Sequence, residues 1–187
     1  MSLRVKPKTV KELRHMHRDD DLDLSPDFQR RDVWGDKKKM LLIDSIARGI
    51  PINALTFYEN ATEDGIKYEV IDGKQRLTSI FEYFDEKIVP DSEKINEETE
   101  EEKNEGKEKS EAIANKKWSE VKKGIQDEFL EYEIPIYFVK GTRQSAVRSF
   151  RRMNEAPYAL KPQEIRNAVY RSSYFLDTAK RFTKAKE

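Results

Sequence analysis

Val70-Ile71-Asp72-Gly73-Lys74-Gln75-Arg76 joins two different periodicities. Before it, Lys67–Ile71 reads as a strand. After it, Leu77, Ile80, Phe81 and Phe84 recur at three- and four-residue spacing, which puts them on one buried helical face. A strand therefore stops at Asp72-Gly73 and a helix starts at once. Glycine permits close backbone approach, and the free N–H groups of the first helical turn, with the helix dipole, make an anion site. Lys74 and Arg76 lie in that first turn, where cations are unfavourable against the dipole unless an anion such as phosphate neutralises them. Asp72 either caps the helix or holds Mg²⁺ or a water beside that phosphate. The plainer reading, a capped helix after an Asp-Gly turn, stands beside it.

Working outward, an apolar strand over Ala54–Tyr58 and a polar turn over Asn60–Gly65 precede the Lys67–Ile71 strand, so the two strands read as a hairpin or as near neighbours in one sheet. Upstream, a helix runs from Asp36 to Arg48, with Met40, Ile43 and Ala47 on one face and Gly49 ending it. Thr9-Val10-Lys11-Glu12 fits a capping box opening a short helix with Leu13 and Met16 inward, which the Asp-rich run 19–23 and Pro26 break. Downstream, Trp118 and Val121 predict a short packed segment and Glu133–Val139 another buried strand. The remainder reads as helical, with breaks near Ala156-Pro157 and Lys161-Pro162. Strands first and helices later predict an α+β class. No internal repeat is visible.

The chain has 187 residues, room for one domain over 1–187. Aromatic residues at 10% argue against wholesale disorder. With no cysteine, disulfides, thiolate nucleophiles and Cys-ligated metals are excluded. His15 and His17 are the only histidines, which disfavours triads and His-rich metal sites. No apolar run approaches the about 20 residues a membrane span needs. No basic-then-apolar leader is seen either, so the expected location is cytoplasmic. Equal totals of 36 basic and 36 acidic groups hide an arrangement. Residues 91–111 carry four basic against ten acidic groups with one large apolar side chain, Ile95, and read as an acidic solvated insertion. Residues 140–187 carry twelve against four, a basic helical part whose Arg143, Arg148, Arg151, Arg152, Arg166 and Arg171 suit phosphate. The alternative for those arginines is a solvated helix face.

Two further segments matter. Pro26–Gly35 (PDFQRRDVWG) flanks Gln29, Arg30 and Arg31 with Phe28 and Trp34, a grouping that can stack a base while pairing a phosphate; read alone, it is equally core filling. Ser149–Ala168 (SFRRMNEAPYALKPQEIRNA) sets Asn154 between two helices, where an amide commonly holds a turn. In it, Glu164 and Arg166 serve as polar struts or as site residues.

Taken in order, these segments resemble the ParB/sulfiredoxin-like N-terminal domain of the GmrSD-type restriction enzymes, whose signature is DGQQR. The matching blocks are Phe28-Gln29-Arg30 with Trp34; Leu42-Ile43-Asp44-Ser45-Ile46; Ile71 to Thr78; Phe150 with Asn154; and Leu160 with Glu164-Ile165-Arg166 and Ala168. The resemblance covers about residue 20 to the end, interrupted by the acidic insertion. It implies a small mixed sheet with packed helices, followed by a mainly helical C-terminal part. It also implies a regulatory domain that binds nucleoside triphosphate with Mg²⁺ and hydrolyses it, an NTPase in a DNA restriction or phage-defence system.

Carried over, Asp72, Gln75 and Arg76 are the catalytic positions and Asp72 the metal ligand. Gln29, Arg30, Gly73, Lys74 and Asn154 are nucleotide-binding, while Arg31, Arg148, Arg151 and Arg152 contact DNA. Lys74 departs from the family's usual Gln; it keeps hydrogen-bond donors but loses the amide acceptor, which bears on hydrolysis more than on binding. Many relatives continue into an HNH-type nuclease. His15 and His17 cannot compose one, so the expectation is a fragment of a longer protein whose nuclease lies in another domain or subunit. The expected partners are a nucleoside triphosphate, DNA and that nuclease, with no membrane. Two alternatives remain: a non-catalytic DNA-binding module using the basic C-terminal helices, and a scaffold or toxin partner in which the motif only caps a helix.

Overall fold

The computed structural model describes residues 2–24, 34–63, 65–95 and 106–155. The chain divides into two compact units, Met1–Phe150 and Arg151–Glu187. The expected breaks near Pro157 and Pro162 lie outside the described residues.

The first unit is built on a five-stranded mixed sheet in the order β1-β5-β3-β4-β2. Its strands are β1 (Ser2–Thr9), β2 (Leu22–Asp23), β3 (Leu55–Thr62), β4 (Gly65–Asp72) and β5 (Glu133–Lys140). The helices are α1 (Val10–Arg18), α2 (Asp36–Arg48), α3 (Lys74–Phe84), α4 (Ser92–Ile95), α5 (Lys107–Ile113), α6 (Lys123–Glu131) and α7 (Arg143–Glu155), with a 3₁₀ turn at Trp118–Glu120. The class is α+β. Strands and helices interleave rather than segregate, however, because β1 and β5 come from opposite ends of the unit and pair antiparallel along eight positions.

The predicted hairpin is present: β3 and β4 pair antiparallel from Thr62↔Gly65 back to Thr56↔Asp72. Both strands run further into the polar segment than Tyr58 and Lys67, since Asn60, Ala61 and Thr62 continue the ladder and the Thr62 hydroxyl ties to the Gly65 carbonyl at 2.9 Å. A solvated hairpin end needs no apolar residues, only backbone pairing.

Strand alternation splits the side chains between two faces. Leu55, Phe57, Val70, Ile134, Ile136 and Phe138 face the main core, which α1, α2, α3 and α6 close from above. There Leu13, Ile43, Leu77, Ile80 and Phe129 are at most 1% exposed. Tyr83, Phe84, Trp118 and Phe129 meet edge to face or tilted, with ring centroids 4.7–6.0 Å apart, an arrangement aromatic quadrupoles favour. On the opposite face Ile71 and Val139 pack with Ala146, Val147 and Phe150 of α7.

The capping box at Thr9 and Glu12 is formed in both directions, and Gly49 ends α2 in the left-handed region at φ +79°. α3 buries Leu77, Ile80, Phe81 and Phe84 as the spacing predicts. Lys107, Glu108 and Glu111 of the acidic segment are exposed, but its exit is anchored by buried Ile113.

Candidate functional site

The hairpin delivers Asp72 to the end of β4 with Val70 and Ile71 buried on opposite faces of the sheet. Gly73 follows at φ +99° and is itself the N-cap residue of α3. A Cβ there would run into Leu55 Cδ2. Both the backbone conformation and the close approach of β3 therefore require glycine. Of the two readings of Asp72, the capping one fails on this geometry, since Gly73 is the N-cap residue and carries no side chain to cap with. Asp72 lies one residue too early, and its carboxylate turns to Arg76.

Arg76 is the most committed side chain of the motif. Its Nη2 donates to Asp72 Oδ2 at 2.8 Å. Its Nη1 donates to the carbonyls of Asn53 and of Ala54, the latter at 3.2 Å. The side chain is 11% exposed against 38% for Asp72. Burial pulls the Arg76 pKa down, while the charge and hydrogen bond of Asp72 oppose that shift. The first-turn cation at 76 thus already has an anion, supplied by the chain four residues earlier.

Lys74 is different: it is half-buried, and no ion pair holds it among the described residues. The first helical bond is Leu77 N to Gly73 O at 2.9 Å, so the N–H groups of Lys74, Gln75 and Arg76 point out of the helix start without an intrahelical acceptor. The Gln75 side-chain oxygen accepts from Trp34 N at 3.1 Å, which leaves its NH₂ to donate elsewhere. Lys38 Nζ sits 4.4 Å above the Trp34 ring.

The motif thus draws Asp72, Gly73, Lys74, Gln75 and Arg76 to one end of the sheet. Phe28, Gln29, Arg30 and Arg31 lie outside the described residues, as do Glu164 and Arg166. Asn154 falls on α7. Arg148, Arg151 and Arg152 are exposed along that helix. Arg143, grouped with them by sequence, is instead locked to Glu69 of β4, with Nε 2.9 Å from both carboxylate oxygens. Among the described residues no cluster of three His, Cys, Asp or Glu side chains is placed to hold a metal.

Two contributors were missed by sequence reading. The connection between α2 and β3 carries no regular ladder over Ile50–Ala54, and its carbonyls receive Arg76. Tyr132, at the end of α6, grips the same connection: its hydroxyl donates to Ile50 O at 2.7 Å and accepts from Ile52 N at 3.2 Å. Burial raises its phenol pKa. Nothing local to Tyr132 signals this.

Comparison with known proteins adds one match. A family model described as "GmrSD restriction endonuclease, N-terminal domain" matches residues 10–171. No curated protein and no solved structure matches the chain. No helix among the described residues is long and apolar enough to cross a membrane.

Proposed function

This chain belongs to the GmrSD restriction endonuclease N-terminal domain family, and from that premise we propose that it binds and hydrolyses a nucleoside triphosphate to regulate a DNA restriction or phage-defence nuclease. The observation that supports the nucleotide is Lys74. A cation with no ion pair among the described residues sits in the first turn of an eleven-residue helix, against the positive end of the dipole. An anion at the N–H groups of Lys74 and Gln75, which lack an intrahelical acceptor, reverses that cost. Two or three charge-assisted bonds of about 1.5–3 kcal/mol each, with base stacking, suffice for roughly micromolar affinity, near −8 kcal/mol.

In this reading Gly73 lets phosphate approach the backbone, and Lys74 neutralises it. The Gln75 NH₂, oriented by the Trp34 bond, donates to a phosphate oxygen or the attacking water. Asp72 is the carboxylate at the turn. A lone carboxylate fits Mg²⁺, which commonly binds one or two carboxylates plus the phosphates of its substrate; the ion would supply charge neutralisation. Arg76 already gives three of its N–H donors to Asp72, Asn53 and Ala54, so its charge acts from behind the site.

Titration calorimetry with ATP, GTP, CTP and UTP plus Mg²⁺ tests this, followed by phosphate release. Saturable binding of at least one nucleotide, weakened roughly tenfold or more in Lys74→Ala, is the expected result. Failure of all four to bind overturns it.

A second reading is favoured by Arg148, Arg151 and Arg152, which are exposed on α7 and make no ion pair among the described residues. They suit the DNA backbone, with or without nucleotide. Duplex affinity measured against salt concentration tests that reading.

A further inference from the structure

We propose that Tyr132 and Arg76 act together as positioning residues, holding the Ile50–Ala54 connection as a fixed wall beside the start of α3; the role rests on the nucleotide reading given above. The connection leaves α2 at Gly49 and enters β3 at Leu55, the residue against which Gly73 packs. Its Ile50 N–H closes the end of α2 on Ser45 O at 2.8 Å, and from Pro51 to Ala54 it belongs to neither helix nor strand. Its backbone groups must still be satisfied where they are shielded from water, and two side chains do so from opposite ends.

At the near end of the chain, the Tyr132 hydroxyl bridges Ile50 O and Ile52 N. At the far end, the Arg76 guanidinium takes the carbonyls of Asn53 and Ala54 while its other nitrogen holds Asp72. One guanidinium thus sets the spacing between the connection and the motif. Pro51, spanned by the Tyr132 grip, and Asn53, held by Arg76, are exposed, so the segment presents an outer edge whose position depends on the clamp. Tyr132 is anchored in turn: its carbonyl accepts from Val10 N at 3.0 Å, tying the clamp to the first turn of α1.

This arrangement separates two roles for Arg76 that sequence reasoning merges. If its guanidinium binds phosphate, Tyr132, at the opposite end of the connection, has no effect on nucleotide affinity. If it positions the wall, loosening the other end weakens binding as well. A phenol bridging two backbone groups is lost completely in Tyr132→Phe, with the ring retained.

The test is nucleotide Kd for the wild-type chain, Tyr132→Phe and Arg76→Lys, with melting curves to set a temperature at which each is folded. Pro51→Gly loosens the same connection without touching either clamp residue. It serves as the second route should Tyr132→Phe not fold. Amide exchange of Ile52 is followed in parallel.

The expected result is a roughly threefold to tenfold weaker Kd in Tyr132→Phe and in Pro51→Gly, with faster exchange at Ile52. An unchanged Kd in both, with wild-type binding intact, overturns the clamp and returns Arg76 to direct phosphate contact. Unchanged exchange at Ile52 in Tyr132→Phe also overturns it. Absence of binding by the wild-type chain removes the nucleotide reading itself and, with it, this role.

Discussion

Gly73 and Leu55 approach so closely that no side chain fits at position 73: a Cβ there would overlap Leu55 Cδ2, and the backbone sits at φ +99°. The β4–α3 turn is therefore a place where hairpin, helix start and neighbouring strand share one solution. Gly73→Ala is expected to lower stability by about 2–4 kcal/mol, since a left-handed conformation and overpacking are penalised together. Urea unfolding measures it; a loss below about 1 kcal/mol would mean that Leu55 moves aside freely.

Lys74→Ala is expected to split stability from binding. Removing a first-turn cation that has no ion pair among the described residues relieves a dipole conflict, so the melting temperature holds or rises by an amount matching a few tenths of a kcal/mol. Nucleotide affinity falls in the same variant. Parallel loss of both would make Lys74 a structural residue.

Asp44 and Arg48 form an ion pair inside α2, 3.3 Å apart, with side chains 1% and 5% exposed. Asp44 Oδ1 has no hydrogen-bond partner among the described residues. Asp44→Leu takes this carboxylate away from a buried guanidinium and should lower stability. Asp44→Leu with Arg48→Met should cost less than the sum of the two single changes, because the bond they share is lost only once. A double-mutant cycle by denaturant unfolding reads the coupling, and strict additivity would mean that the pair does not interact.

The cap of α1 carries a pH signature. Glu12 is held below its ordinary value of 4.5 first by the Lys8 side-chain hydrogen bond and then by the Thr9 backbone N–H. A carboxylate depressed in the folded state contributes stability above its unfolded pKa and loses it as pH falls through the folded one. Thr9→Ala should cost about 1 kcal/mol near neutral pH. Glu12→Gln should flatten the acid limb of the stability curve below about pH 4.5. An acid limb identical to wild type in Glu12→Gln would show that the box is not coupled to folding.

If α7 meets DNA, replacing Arg148, Arg151 and Arg152 with Ala should reduce the slope of log affinity against log salt by about 3 units, close to one per lost phosphate contact. An unchanged slope would leave these arginines as a solvated face.

Elements whose signal is local were legible: the Leu77–Phe84 face of α3, the Thr9–Glu12 cap, the Gly49 stop and the β3–β4 hairpin. Strand β1 was not. Ser2–Pro7 are exposed, with Leu3 and Val5 more than half so; the alternation of Leu3 and Val5 with Arg4 and Lys6 is short, buries neither face and runs into Pro7. Lysine and proline on an edge strand are a common guard against aberrant pairing, and that guard hides the strand from pattern reading. Strand β2, two residues beside β4, is too short to carry a pattern at all. Whether Asp72 caps α3 stayed open in the sequence because Asp-Gly before a helix allows either residue to be the N-cap. Only the tight packing of Gly73 on Leu55 decides between them.

By itself the sequence determined the strand-to-helix junction at 70–76 and the family to which the chain belongs. These follow from backbone periodicity, conformational preference and ordered motifs, which act within a few residues or are carried as plain sequence. The tertiary structure decided the partners. Arg76 reaches carbonyls 22 and 23 residues away, and Tyr132 reaches a backbone 80 and 82 residues away. A guanidinium or a phenol accepts any well-placed oxygen, so its identity does not specify its partner. That choice waits until β5 closes beside β3 and brings the connection, α3 and the end of α6 within hydrogen-bond reach.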